Sequence, residues 1–581
     1  AEMKSIRPFR NYLCIFVPAI AILLATASFA QEPPPPPESP SGQASVPAEN
    51  PPSRVARMSF IKGNVSFLRA GLAQWSQASL NFPVTTGDRI YTERGAWAEL
   101  ELGAYTIRMA DASDLTVTNL NNQIVQLGLN QGSVRVTVHE MLPGDTVEVD
   151  TPNGSLTLLG EGSYRVNVEP SGSFSTVMVN SGRLEITGSG VSQMLQSGQA
   201  AKLTGQNPII IESMPLAPFD AFDRWCEERD LRISSSKSAK YVSRDTPGYE
   251  ELDSYGTWQD VPEYGPVWYP AGVAVDWVPY RFGRWVWVTP WGWTWVEDEP
   301  WGFCQFHYGR WVHIGVAWGW VPGPIVPLPV YAPAFVGFIG GPSFSVSIGL
   351  GAGIGVAAWF PLGPGEPFFP WYHYGGDYLR VVNITNIRNV TNITNIINVR
   401  NINEVHYAYK TVGATVVRED AFRNGVRVAD HMVRVPPETL AKASIVPHPA
   451  VNPTMHAAMP GRPVTAPPVR SAPLAAARAV PRAGENPASV ARSGRAFMPE
   501  TTPGHWASTS PPGLITRSAP PPMRVPFAME ERPMLVHPGR PLEPYQVENL
   551  RAGRPVGPMM DHEFPEHGFP IGHPAAPARH R

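Results

Sequence analysis

The sequence predicts a mainly β protein. It should hold a β-sandwich or solenoid domain, a short helical connector, a Trp-rich β domain and a disordered Pro-rich C-terminal tail. Three observations carry this. Short runs of alternating apolar and polar residues, separated by Gly, Asn and Asp, fill residues 57–205, the pattern of half-buried strands joined by tight turns. Twelve of the 18 Trp fall between residues 249 and 324, and aromatic side chains bring enough buried area to hold a small domain together. The chain's 65 Pro and 52 Gly, about a fifth of its 581 residues, interrupt helices and favour turns and extended chain.

The N-terminus has the pattern of an export signal. Lys4, Arg7 and Arg10 precede an uncharged, mostly apolar run over residues 12–27, and Ser28-Phe29-Ala30 offers small residues at the cleavage positions. Residues 1–30 are therefore expected to be a cleaved signal peptide, with an uncleaved inner-membrane anchor as the alternative. Residues 31–53 read as a stiff, extended Pro-rich linker. The net charge of −3 and a pI near 6.6 give no global field for nucleic acid. Only Cys226 and Cys304 lie beyond the signal, and export makes them a candidate disulfide as readily as two buried thiols.

In residues 57–205 the strands are marked by Gly63-Asn64-Val65-Ser66-Phe67-Leu68, Ser133-Val134-Arg135-Val136-Thr137-Val138 and Arg183-Leu184-Glu185-Ile186. Turns are marked by Gly87-Asp88, Pro143-Gly144-Asp145 and Asn153-Gly154. Several pieces occur in a set order: Pro83-Val84-Thr85-Thr86-Gly87-Asp88-Arg89-Ile90-Tyr91-Thr92, Ala96-Trp97-Ala98-Glu99-Leu100, Gly132-Ser133-Val134-Arg135-Val136, Val149-Asp150-Thr151-Pro152-Asn153-Gly154, Gly162-Ser163-Tyr164-Arg165-Val166 and Gly198-Gln199. In that order they resemble the periplasmic domain of the FecR family. The resemblance implies a periplasmic β domain that relays a signal to a cytoplasmic sigma factor. Only about ten residues precede the apolar segment, so the part that contacts the sigma factor is expected to be absent.

Residues 215–245 suit an amphipathic connector helix, with Phe219, Phe222, Trp225 and Cys226 at three- to four-residue spacing. Residues 249–380 form the Trp/Gly/Pro-rich domain. Within it, Gly283-Arg284-Trp285-Val286-Trp287-Val288 is echoed by Gly309-Arg310-Trp311-Val312-His313-Ile314, and Trp291-Gly292-Trp293 by Trp318-Gly319-Trp320. This is a duplicated unit the size of a β-hairpin. The block resembles a Trp/Pro/Gly-rich domain of unknown function found after FecR-like domains in exported bacterial proteins. Residues 343–351 alternate small and large apolar side chains, as a strand does. Residues 381–410 carry Asn every third position, from Asn383 to Asn401, equally a candidate Asn ladder through which copies of the chain would associate or a strand-like arm that pairs with another element. Residues 435–581, rich in Pro, Ala and Arg, read as disordered.

No catalytic constellation is legible. His562-Glu563-Phe564-Pro565-Glu566-His567 spaces its histidines wrongly for H-E-x-x-H, and Pro565 breaks the helix that would align them. Glu297-Asp298-Glu299 is expected to be a solvated turn or a weak cation contact, and His307 and His313 packed histidines. The one candidate ligand site is the tryptophan array: Trp285, Trp287, Trp293, Trp295, Trp311, Trp318 and Trp320 are either a platform for stacking on cell-wall sugars or a core. The expectation is thus an exported, non-catalytic binding or scaffold protein of the periplasm or cell surface. It needs no cofactor, and its partner is an unidentified protein or a cell-wall glycan. A membrane-anchored signal relay and a glycan binder are the alternatives.

Overall fold

A computed structural model describes residues 50–341, 344, 355–388, 402–469 and 513–556. The signal segment, most of the linker, the 343–351 strand apart from Phe344, and most of the Asn array lie outside the described residues. The described chain is mainly β, as the alternation predicts.

Residues 56–214 form two antiparallel-rich sheets that share one long strand, Ile124–Val138. The first sheet runs through Ala56–Lys62, Trp97–Glu101, Tyr105–Met109, the C-terminal half of Ile124–Val138, Gly162–Val168, Phe174–Ser181, Ala200–Thr204 and Ile210–Met214. The second runs through Val65–Leu68, Arg89–Thr92, Asp114–Leu120, the N-terminal half of the shared strand, Thr146–Thr151, Gly154–Leu158, Arg183–Gly188 and Val191–Gln196. Alternate residues of both sheets, among them Met58, Leu100, Ile107, Val136, Leu127, Val149 and Ile186, meet in one core. That is the half-buried strand pattern made physical.

The turn motifs are structural. The Asp88 carboxylate accepts from Thr85 N at 2.8 Å and Ala70 N at 2.9 Å, and pairs with Arg69 at 2.7 Å. It is fully buried, so these donors replace its water. Gly87 sits at φ 88°, which a side chain would resist. Asn153 fastens the turn at 151–154 by donating to Gly172 O and Gly205 O, both at 3.2 Å, while its oxygen accepts from Ser175 Oγ at 2.8 Å.

The predicted connector is the helix Ala221–Ser234, opened by an Asp220/Asp223 capping box. Beyond it the duplicated unit is two hairpins. Gly283–Val288 pairs with Gly292–Glu297, and Arg310–Ile314 with Ala317–Val321. A third hairpin, Gly256–Val261 with Gly265–Pro270, joins the second through Trp268 and Trp320. Val336–Gly340, Val356–Pro361, Thr415–Arg418 and Ser444–Val446 make a further four-stranded sheet.

Two stretches depart from the expected disordered tail. Residues 435–469 supply the strand Ser444–Val446, and beyond it Pro463 bridges Ser76 of the first domain. Residues 513–556 cross the first domain and end in the helices Phe527–Met534 and Pro544–Arg551. The low hydrophobicity of these stretches hides their fold, because they pack as a short edge strand, isolated bridges and short helices against elements far away in sequence. The rest of 435–581 lies outside the described residues.

Candidate functional site

Eleven of the twelve clustered tryptophans are buried. Trp293, Trp295, Trp311 and Trp320 have no exposed surface, Trp285 keeps 1%, Trp287 2% and Trp318 6%. The hairpin register sets Trp285 opposite Trp295 and Trp287 opposite Trp293. Each pair meets edge to face, at 5.6 Å and 5.4 Å between ring centres, the favoured aromatic geometry. Trp285 also touches Phe338, Trp359 and Phe422 at 5.4–5.6 Å. The sugar-stacking platform is therefore corrected to a core: no face of these rings is open to a ligand. A domain poor in Leu and Ile has spent its indoles on packing.

The other sequence candidates are also structural. Glu297, expected on a solvated turn, is instead a buried strand end: it accepts from Trp295 Nε1 at 3.0 Å, and burial raises its carboxyl well above the ordinary range. Asp298 turns outward to Arg427 at 2.7 Å, so the acid triplet does not converge. His307 is buried against Tyr331 and donates from Nδ1 to Ala332 O at 2.9 Å; His313 packs on Trp318. The candidate disulfide is likewise corrected. Cys226 and Cys304 are free, buried thiols in separate clusters, Cys226 beside Ala110 and Phe222, and Cys304 in the main core. Asn383 and Asn386, the first of the array, are buried and hold Arg310 Nη2 and Gly309 N, each at 3.0 Å.

What the sequence reading missed lies on the outer faces of the first domain, where alternation predicts solvent. On the first sheet the register lines up Glu99, Arg108, Arg135 and Arg165 across four adjacent strands. The helix Ala221–Ser234 lies over this row. Arg108 pairs with Asp230 and Glu99, both at 2.6 Å, and Arg165 with Asp223 at 2.5 Å and Asp220 at 2.7 Å. Arg135 pairs with Glu227 and reaches Asp223 at 3.5 Å. Arg229 returns from the helix to Glu99 at 2.5 Å. Burial alone would raise the Glu99 carboxyl, but Arg108 and Arg229 hold it well below the usual carboxylate range. The signal was present: acids at 220, 223, 227 and 230 share one helical face, opposite arginines at alternate strand positions.

On the second sheet the same logic lines up Gln126, Glu148, Thr157 and Glu185. Residues 513–518 lie over this row. Between the two β domains the seam is also polar: Arg57 pairs with Glu101 at 3.4 Å and Glu251 at 3.1 Å and donates to Pro300 O at 2.6 Å. Asn81 donates to Glu297 O at 3.1 Å and Glu299 O at 2.7 Å. Arg54 joins Asp145 at 3.2 Å to Asp245 at 3.4 Å. Among the described residues, no helix is long and apolar enough to cross a membrane.

Residues 249–366, the three hairpins and the start of the following sheet, match the model of a family of unknown function, DUF6600. No curated protein matches the sequence. Two crystal structures of a "putative anti-sigma factor from Parabacteroides distasonis ATCC 8503" are similar to 22% of the chain at 16% and 17% identity, each with a TM-score of 0.20. The chain spans 60% of that protein's length, and so small an overlap carries neither fold nor activity across.

Proposed function

We propose that this chain is an exported, non-catalytic scaffold of the bacterial envelope, with a FecR-like first domain and a DUF6600 second domain held as one body. The observation that carries the reading is the buried Arg57 seam. Arg57 is fully buried, and a buried guanidinium that satisfies carboxylates and a carbonyl on both sides fixes their relative placement, because separating them leaves charges unpaired. The ordered FecR-like pieces fall on strands and turns of one sheet pair, with Asp88 and Asn153 as turn fasteners, which accounts for them without any chemistry. The indoles that would have served as a ligand platform are core.

Expression of the full chain in a Gram-negative host, followed by fractionation and N-terminal sequencing, tests the location. A periplasmic product beginning at Gln31 is the expected result. A full-length chain retained in the inner membrane would overturn the cleaved form in favour of an anchored relay.

A further inference from the structure

The outer face of the second sheet is built to hold an extended peptide. Glu148, Asp150 and Gln126 are fully or almost fully buried there. The Glu148 carboxylate accepts from Thr516 Oγ1 and Arg517 N at 2.9 Å, Ser518 N at 3.1 Å and Ser518 Oγ at 2.7 Å. Gln126 Nε2 donates to Thr516 Oγ1 at 2.6 Å and Ser518 O at 2.9 Å. Ile515 N bonds Thr151 O at 2.9 Å as an antiparallel bridge, and Gln206 Nε2 holds Gly513 O at 2.9 Å. Arg517 reaches across to Glu185 at 2.6 Å. Leu514 fits a notch at Gly128, where a Cβ would stand 2.6 Å from its Cδ1.

These features specify an occupant. Without donors a buried carboxylate is costly, and beside Gln126 Nε2 at 3.3 Å from the sheet itself Glu148 takes two amides and two hydroxyls from one short segment. Main-chain pairing, an apolar notch and a terminal charge pair are the usual elements of extended-peptide recognition. The contacts join residues more than 300 apart in sequence, so none of them depends on the groove and its occupant belonging to the same chain.

We propose that this face is a binding groove for an extended Leu-Ile-Thr-Arg-Ser segment, that residues 514–518 fill it in cis, and that the partner it fits is the same segment of a second copy of this chain. The proposal goes beyond the scaffold reading and does not depend on cellular location.

The test uses two variants of the full chain. Thr516→Ala/Arg517→Glu/Ser518→Ala releases the segment and leaves the groove intact; Glu185→Arg spoils the groove and leaves the segment intact. Light scattering should show each variant monomeric alone and a one-to-one dimer on mixing. A fluorescent peptide of residues 511–520 should bind the released variant at least tenfold more tightly than wild type. Circular dichroism confirms folding, and Glu185→Arg/Arg517→Glu, which restores the charge pair in reverse, should return to wild-type peptide binding. A mixture that stays monomeric, or equal peptide affinity for wild type and the released variant, overturns the proposal.

Discussion

Trp285→Ala separates a core from a platform. The indole is 1% exposed and is ringed by Trp295, Phe338, Trp359, Trp371 and Phe422. Burying about 150–250 Å² at roughly 25 cal/mol per Å² gives about 4–6 kcal/mol, and measured Trp-to-Ala losses in cores run at about 3–5 kcal/mol. A loss of about 4 kcal/mol is therefore expected, a large share of the ~5–15 kcal/mol that holds a typical domain. The assay is urea unfolding of the full chain followed by far-ultraviolet circular dichroism. Trp285→Phe keeps most of the ring volume and guards against a variant that does not fold; its cost should be about 1–2 kcal/mol. Trp258→Ala is the surface control. That indole is half-buried, packed at a tilt on Tyr241 at 4.4 Å and bonded to Ser238 Oγ at 2.9 Å, and its loss should cost about 1–2 kcal/mol. If Trp285→Ala unfolds at the wild-type urea midpoint, the indole is not core and the packing account of the whole cluster fails. A pull-down on insoluble peptidoglycan should find wild type, Trp285→Ala and Trp311→Ala retained equally.

Three further outcomes are expected. Glu99→Gln removes the acid shared by Arg108 and Arg229; leaving buried arginines short of charge should cost about 3–5 kcal/mol in the same urea assay, and a loss below ~1 kcal/mol would show that the row does not hold the helix. His307 is buried with its pKa lowered from 6.5 to about 3 by desolvation. The unfolded chain thus binds its proton first, and stability falls as pH drops from about 6.5 towards 3. Between pH 6.5 and 4 this amounts to about 3 kcal/mol, so His307→Gln should show a shallower acid loss than wild type, and equal slopes would refute it. Burial also pushes the Cys226 thiol up to about 12 and raises Cys304 well above its ordinary value, so both should resist alkylation in the native chain and react in urea without reductant. Protection that persists in urea until reductant is added would indicate a disulfide.

Much of the fold is legible in the chain because its signals are local. Alternation at Ser133 to Val138 marks a strand whichever sheet it joins, and the repeat at Gly283 and Gly309 marks two hairpins before their partners are known. The tryptophans were ambiguous for a physical reason: indoles on one strand face look the same whether that face meets sugar or another hairpin. Only the register that sets Trp285 against Trp295, and the sheet bearing Trp359, decides it. The Arg108–Arg135–Arg165 row and the Glu148 groove were hidden differently. Polar residues on alternate positions read as solvent-facing, and their covers come from about 60 to 120 residues later in one case and some 370 in the other. The helix announces packing through Phe222, Trp225 and Cys226 but not through its acids, and the Pro-rich tail carries too little apolar surface to announce burial.

The Pro463 bridge to Ser76 and the Thr516–Ser518 clasp on Glu148 also impose an order in time. During synthesis the ribosome delivers the strands bearing Ser76 and Glu148 several hundred residues before the segments that close over them. The nascent first domain must therefore wait with its acid row uncovered, and a chain that stops before residue 513 has nothing of its own to finish that surface. Completion waits for a segment some 370 residues further along the chain, so residues 513–518 are a condition for a finished first domain rather than an appendage to it.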